Sequence, residues 1–334
     1  MTHLPQTRIL IVKLSSLGDL FHALPTVRAL KEGLNAEIDW VTQPEYAELV
    51  RYFDDVNDVL AFPRQHLQTQ LLPFLRDIRK KRYDFVIDLQ GLMKSAIVTA
   101  SARGDKKIGP SGSREGAHLL YHTVAGRKNK DRHAVDELLD VVRHLRLPLP
   151  NPLHFPVTFP KNSRQEGLHI ALCPCSRAAG KDWPADRFAS MALALQQEFN
   201  AVIHLVGSPA DRVLCEQIIE NIGSQAVNHA GSTTLIELGS LLQKMDLLIT
   251  VDSGPMHMAA AIGTPTLALF GPTSPKRTGP YGNQHRIIES SFQSAEKKIS
   301  KKTRQRDMRY IESISTEEVT AAALAMLPAL GGRT

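Results

Sequence analysis

The feature that most constrains this chain is a rhythm of short β-branched runs and helical stretches, which stops at a cluster of prolines and then starts again. Residues 8–13 and 37–41 read as strands, and 20–33 and 44–53 as helices. That order calls for a parallel sheet covered by helices. A further strand, 83–88, follows a charged helix and precedes another helix over 92–103. The stretch Leu147–Pro160 then carries five prolines in fourteen residues and cannot lie inside a helix or a central strand. Beyond it the rhythm resumes, with strands at 168–173, 201–206, 246–251 and 266–270 and helices at 184–199, 209–222, 233–244 and 254–262.

The expected architecture is α/β, with two Rossmann-like domains facing across a cleft. The first spans 1–150, a proline-rich linker 151–165, and the second 166–315. A last helix over 316–330, capped by Ser315 with Glu318 at its third position, is expected to pack back on the N-terminal domain. A length of 334 residues is ample for two cores.

Composition narrows the function classes. The longest apolar runs, such as 247–251 and 267–270, are strand-length and fall far short of the roughly 20 residues that span a bilayer. Residues 1–14 lack the apolar region and cleavage site of a signal peptide, so a cytoplasmic protein is expected. Cys173, Cys175 and Cys215 have neither metal-site spacing nor an even count, so neither a metal nor a disulfide is expected. A formal charge of +6 favours anionic partners. The basic clusters at 76–82, 127–132 and 297–309 contain no interleaved aromatics, so nucleic acid is the weakest of these partners.

Three loops at carboxyl ends of expected strands carry candidate chemistry, because ligands of open α/β sheets gather at that edge. In Lys13-Leu-Ser-Ser-Leu-Gly-Asp19, Asp19 is either a general base for an acceptor hydroxyl or a carboxylate in the first turn of a helix. In the loop from Cys173 to Pro184, Ser176, Arg177 and Lys181 either bind nucleotide phosphates or belong to a plain strand-to-helix connection. Neither a Walker loop nor a GxGxxG fingerprint is present, which disfavours a dinucleotide-dependent dehydrogenase. In the third loop Asp252, Ser253, Gly254 and Pro255 open a helix of small residues whose free amides suit an anion. His257 lies one turn further on, as a ligand contact or a core histidine.

Taken together, these loops resemble glycosyltransferase family 9, the heptosyltransferase family of the GT-B fold. The resemblance runs over nearly the whole chain. It rests on Lys-x-Ser-Ser-x-Gly-Asp at 13–19, Asp88-x-Gln90-Gly91-Leu-x-Lys94-Ser95, Lys181-x-Trp183-Pro184, Val206-Gly207, and Asp252-Ser-Gly-Pro-x-His257 through Phe270-Gly-Pro-Thr273. The segments 15–19 and 88–95 are most similar to the heptosyltransferase I pattern. The resemblance implies inverting transfer of L-glycero-D-manno-heptose from ADP-heptose to the Kdo-containing inner core of lipopolysaccharide, with Kdo2-lipid A as acceptor. It further implies peripheral contact with the inner face of the inner membrane. Asp19 then matches the catalytic base, and Lys181 the group that neutralises the leaving ADP, with neither cofactor nor metal required.

Ser176, Arg177, Asp252, Ser253, Gly254, Pro255 and His257 would attend the donor, and Ser16, Gly18, Gln90 and Lys94 the acceptor. Arg64, Arg127 and Lys128 are further cations for an anionic lipid acceptor. The chain departs from the family in a loop before Lys181 that is one residue longer, and in polar residues over 292–308 where many relatives carry cysteines; no metal or disulfide is expected to hold that segment. The alternatives are a relative using a later core acceptor or another nucleotide sugar, and an inactive nucleotide-binding or membrane-docking protein.

Overall fold

The computed structural model describes residues 6–129, 131–161, 163, 166–177, 180–223, 225–294 and 307–330. The chain divides into two compact units, Met1–Thr158 and Phe159–Thr334. Each is built on one sheet of six strands.

In the first unit β1 (Thr7–Val12), β2 (Ala36–Thr42), β3 (Asp58–Ala61), β4 (Tyr83–Asp88), β5 (Gly104–Pro110) and β6 (Thr123–Ala125) lie side by side in the order β3-β2-β1-β4-β5-β6. All neighbours are parallel. Ile9 to Val12 of β1 are wholly buried, as expected of a strand covered on both faces. The helix Leu17–Leu34 follows β1 and is buried over most of its length. Phe53 makes edge-to-face contacts with Phe21 and Trp40, centroids 5.7 and 5.5 Å apart, and the Trp40 indole donates to the Lys13 carbonyl at 3.0 Å. That bond ties the loop after β1 to the core.

The proline-rich segment is shared between the units. Val157 forms an antiparallel bridge with Phe53, and Asp54 takes the Thr158 hydroxyl at 3.1 Å, which stitches this stretch to the first unit. Phe159 is buried against Gly239, where any side chain would collide with its ring.

In the second unit β7 (His169–Cys173), β8 (Val202–Leu205), β9 (Ala226–Asn228), β10 (Leu247–Val251), β11 (Thr266–Phe270) and β12 (Arg286–Glu289) are arranged β12-β11-β10-β7-β8-β9. Counted from its own first strand, this is the order of the first sheet again. The strands β7, β10 and β11 are buried at every residue. Replacing one of their leucines by alanine would cost about 2–5 kcal/mol.

Three histidines line up across this sheet. His169 Nδ1 lies 2.9 Å from His204 Nε2, and His204 Nδ1 lies 3.0 Å from His229 Nε2. The far nitrogen of His169 faces the Glu166 carbonyl at 3.1 Å, which can only accept. With neutral rings, each Nε2–H therefore donates along the row toward that carbonyl.

The helix Thr316–Leu330 belongs to the second unit's own core: its residues Val319, Ala322, Ala323 and Leu327 lie beside Phe188, Met191 and Leu195 of the helix Ala185–Phe199. The cap is as read, with the Glu318 amide donating to Ser315 Oγ at 3.1 Å. The preceding residues are anchored too, since the Trp183 indole and the Arg187 guanidinium both donate to the Ile314 carbonyl, at 2.9 and 2.7 Å. Most of the basic segment 292–308 lies outside the described residues. Among the described residues no helix is long and apolar enough to cross a membrane.

Candidate functional site

In each sheet the strand order reverses at one place, between β1 and β4 in the first and between β7 and β10 in the second. Loops leaving the carboxyl ends of such strand pairs diverge and open a crevice. The loops singled out by sequence, 13–19, 88–95, 173–184 and 252–257, leave those four strands.

At the first edge, Ser16 is the N-cap of the helix Leu17–Leu34 and Asp19 sits in its first turn. Asp19 Oδ2 accepts the Ser16 amide at 2.9 Å and the Ser16 hydroxyl at 2.8 Å. Both sequence readings of Asp19 are thus geometrically open. It serves the helix start, and it stands half-exposed at the crevice edge. Gly18 is buried beside it.

Gln90 is turned toward the protein, and its Oε1 accepts the amides of Leu14 and Ser15, each at 3.1 Å. Asp88 is fully buried and accepts the Gln90 amide at 2.7 Å, the Gly91 amide at 2.9 Å and the Tyr121 hydroxyl at 2.7 Å. Burial pushes its carboxyl above the usual range, against the pull of these donors. Lys13 is also buried and donates to the Leu89 carbonyl at 2.7 Å. Burial lowers its pKa, opposed by the charges of Asp19, Asp88 and Glu137. Lys94 is half-exposed in the first turn of the helix Met93–Ser101, while Arg64, Arg127 and Lys128 are on exposed surface.

At the second edge the Lys181 ammonium pairs with Asp252 Oδ2 at 2.5 Å, and the Thr273 hydroxyl donates to the same oxygen at 2.8 Å. Both side chains are mostly buried, with 15% and 10% of their surface exposed. Asp252 therefore holds a cation, which is a different task from touching an anionic ligand directly. Ser253 is the N-cap of the helix Gly254–Ala261, with Pro255 near its start. Its hydroxyl lies 2.9 Å from Thr250 Oγ1 and 3.6 Å from Cys173 Sγ. His257 is buried one turn along.

In the loop between β7 and the helix Ala185–Phe199, the Ser176 amide donates to Asp182 Oδ1 at 2.8 Å, and Arg177 is exposed. Burial raises the Asp182 carboxyl above its ordinary range, with the Ser176 amide opposing. The cysteines are free thiols, buried, and pushed upward in pKa by that burial. Among the described residues no group of three or more His, Cys, Asp or Glu side chains is placed to hold a metal ion.

Sequence reasoning gave no task to Tyr121, Thr273 or Asp182. Thr273 stood in a quoted motif without a role. Tyr121 had no local signal, for its partner Asp88 is 33 residues away.

Two units of this topology, with candidate residues at both strand-order reversals, define a GT-B fold. Solved structures share it. The glycosyl transferase family 9 structure from Veillonella parvula superposes with a TM-score of 0.85 at 22% identity, covering 98% of this chain and 99% of that one. The Escherichia coli heptosyltransferase WaaC, solved with ADP, gives 0.81 at 22% identity, covering 96% and 100%. The family model described as glycosyltransferase family 9 (heptosyltransferase) matches residues 71–308, and the chain belongs to that family. The lipopolysaccharide core heptosyltransferase OpsX of Haemophilus influenzae is 27% identical over 312 residues, 87% of this chain and 86% of that protein. Relatives named lipopolysaccharide heptosyltransferase 1, 2 and 3 match at 25%, 27% and 25% identity.

Proposed function

We propose that this chain transfers L-glycero-D-manno-heptose from ADP-heptose to the Kdo-containing inner core of lipopolysaccharide, with inversion, as a heptosyltransferase I. The observation that carries the reading is the location of Asp19 and Lys181 at the strand-order reversals of the two sheets of a family 9 chain.

The chemistry divides between the two edges. On the first unit, the Asp19 carboxylate accepts the proton of the acceptor hydroxyl as that oxygen bonds to the anomeric carbon. Ser16, already donating to Asp19, has lone pairs left to accept from a neighbouring acceptor hydroxyl. The Gly18 amide and the Lys94 ammonium complete the acceptor side. A carboxylate is a weak base for a hydroxyl, and it suffices because the hydroxyl acidifies only as the glycosidic bond forms. On the second unit, the bond from the anomeric carbon to the phosphate oxygen breaks, and its electrons leave with ADP. Lys181 and the amides at the start of the helix Gly254–Ala261 meet that charge, Ser176, Arg177, Ser253 and His257 bind the donor, and Asp252 keeps Lys181 aimed. Turnover is expected to survive EDTA, since these groups supply the counter-charge.

The acceptor is lipid-borne, so the enzyme would work at the cytoplasmic face of the inner membrane, bound peripherally. The near-equal similarity to relatives named for three different heptosyl transfers favours one second reading, a later acceptor in the same core. The test is ADP release from ADP-heptose with deacylated Kdo2-lipid A, against the same lipid already carrying one heptose. Turnover on the first acceptor alone is the expected result. Turnover on the second alone would move the enzyme to a later step, and silence on both would sink the heptosyl reading.

A further inference from the structure

We infer that Gln90 is a positioning residue for Asp19, and that Asp88 and Tyr121 hold Gln90 to that task. The inference rests on the reading of Asp19 as the base. Gln90 stands just past β4, beside β1 at the strand-order reversal. Its one side-chain oxygen accepts two consecutive amides, Leu14 and Ser15, of the loop leading to Asp19. The next residue, Ser16, gives both its amide and its hydroxyl to the Asp19 carboxylate. The orientation of that carboxylate is therefore set by a run of bonds that begins on another strand, 75 residues away.

The side-chain type suits the task. An amide oxygen accepts two N–H donors without adding charge, whereas a carboxylate here would stand between Asp19 and the buried Asp88. The backbone that carries the side chain is fixed from behind, through the main-chain N–H of Gln90. Asp88 takes the Gln90 amide, and its other oxygen takes the Tyr121 hydroxyl. Tyr121 is seated by Gly109, where any side chain would collide with its ring. Lys13 adds a second tie by donating to Leu89, the residue between Asp88 and Gln90. Each of these groups is buried or half-buried, so losing a partner carries the full cost of an unmet polar atom.

A positioning role differs measurably from an acceptor contact. In Gln90→Met, which keeps the length and loses the oxygen, kcat should fall about 100-fold, the scale of a 1 Å misplacement at a reacting group. Both KM values should stay within about twofold, since no substrate contact is removed. Amide hydrogen exchange at Leu14 and Ser15 should accelerate at the same time. Gln90→Glu, which restores an acceptor for both amides, should return their protection and recover part of the lost kcat, the added charge near Asp19 and Asp88 limiting the rescue. Tyr121→Phe should show the exchange effect more weakly.

A rise in acceptor KM with kcat retained would overturn the inference in favour of direct acceptor binding. An unchanged kcat with a lowered melting temperature would make the network merely structural. If the unsubstituted protein transfers no sugar at all, the proposed function falls, and exchange at Leu14 and Ser15 still decides whether Gln90 holds the loop. Unchanged exchange in Gln90→Met would end the idea by itself.

Discussion

The two crevice edges share one topology and are stiffened in opposite ways. At the first, a neutral amide oxygen just past β4 holds the loop after β1 through its backbone, and Ser16 braces Asp19 within the same turn. At the second, two opposite charges hold each other, Lys181 against Asp252, with Thr273 assisting. The first arrangement gives a fixed geometry with nothing to exchange. The second holds a cation on an internal carboxylate, and under the proposed function an incoming diphosphate would share that cation. A base that must meet a hydroxyl within a few tenths of an ångström suits the first, and a counter-charge that must follow a departing group suits the second.

The contrast can be broken most forcefully at Asp19. Asp19→Ala should lower kcat by about 10²–10⁴, the usual share of a general base, while calorimetry finds ADP affinity unchanged. Retained turnover with about 1 kcal/mol of lost stability would reduce Asp19 to a helix cap. Lys181→Ala comes next, with kcat lowered by about 10²–10³ through loss of leaving-group charge stabilisation. Here ADP should also bind more weakly, and single-turnover rates together with calorimetry separate the two losses. If ADP affinity stays untouched, the ion pair is only a structural tie.

Acid should distinguish the units by stability. Burial first, then the neighbouring His229 and His169, lowers the His204 pKa to about 4 from its ordinary 6.5. The unfolded chain then binds more protons than the folded one between those values, so stability should fall as pH drops from about 6.5 towards 4 and level off below. Thermal melting followed by exchange in β7 and β8 checks this, and the slope should become shallower in a folded His204→Gln variant, with His229 and His285, also lowered by burial, supplying what remains. The smallest effect is expected at the C-terminal helix, where Ser315→Ala should cost about 1 kcal/mol in urea unfolding by removing the cap to Glu318.

Much of the fold could be read directly from the sequence because parallel strands buried on both faces are written as continuous apolar runs. Tyr83–Asp88 and Thr266–Phe270 fall on the expected residues, and the Ser315 cap is local chemistry. The strands passed over are short or carry charge, such as Gly104–Pro110 with its paired lysines and Arg286–Glu289 at a sheet edge. Pairing with a neighbour makes them strands, and periodicity carries no trace of a neighbour.

The same divide runs through the candidate site. Asp19 and Lys181 stand in loops whose position after a strand is visible in sequence. What each touches is not, because Gln90 meets Ser15 across 75 residues and Lys181 meets Asp252 across 71. The packing partner of the last helix is hidden in the sequence for a related reason. Its alanine-rich face, Ala322 and Ala323 among it, fits against any well-shaped surface, and only the packed core shows which.

The bonds from Trp183 and Arg187 to the Ile314 carbonyl also set a schedule for synthesis. The loop that carries Lys181 lies directly before Trp183, yet its anchor is made more than a hundred residues later. A ribosome releases the first unit whole long before that anchor exists. A nascent chain halted before residue 314 would therefore own a finished Asp19 edge and an unfastened Lys181 loop.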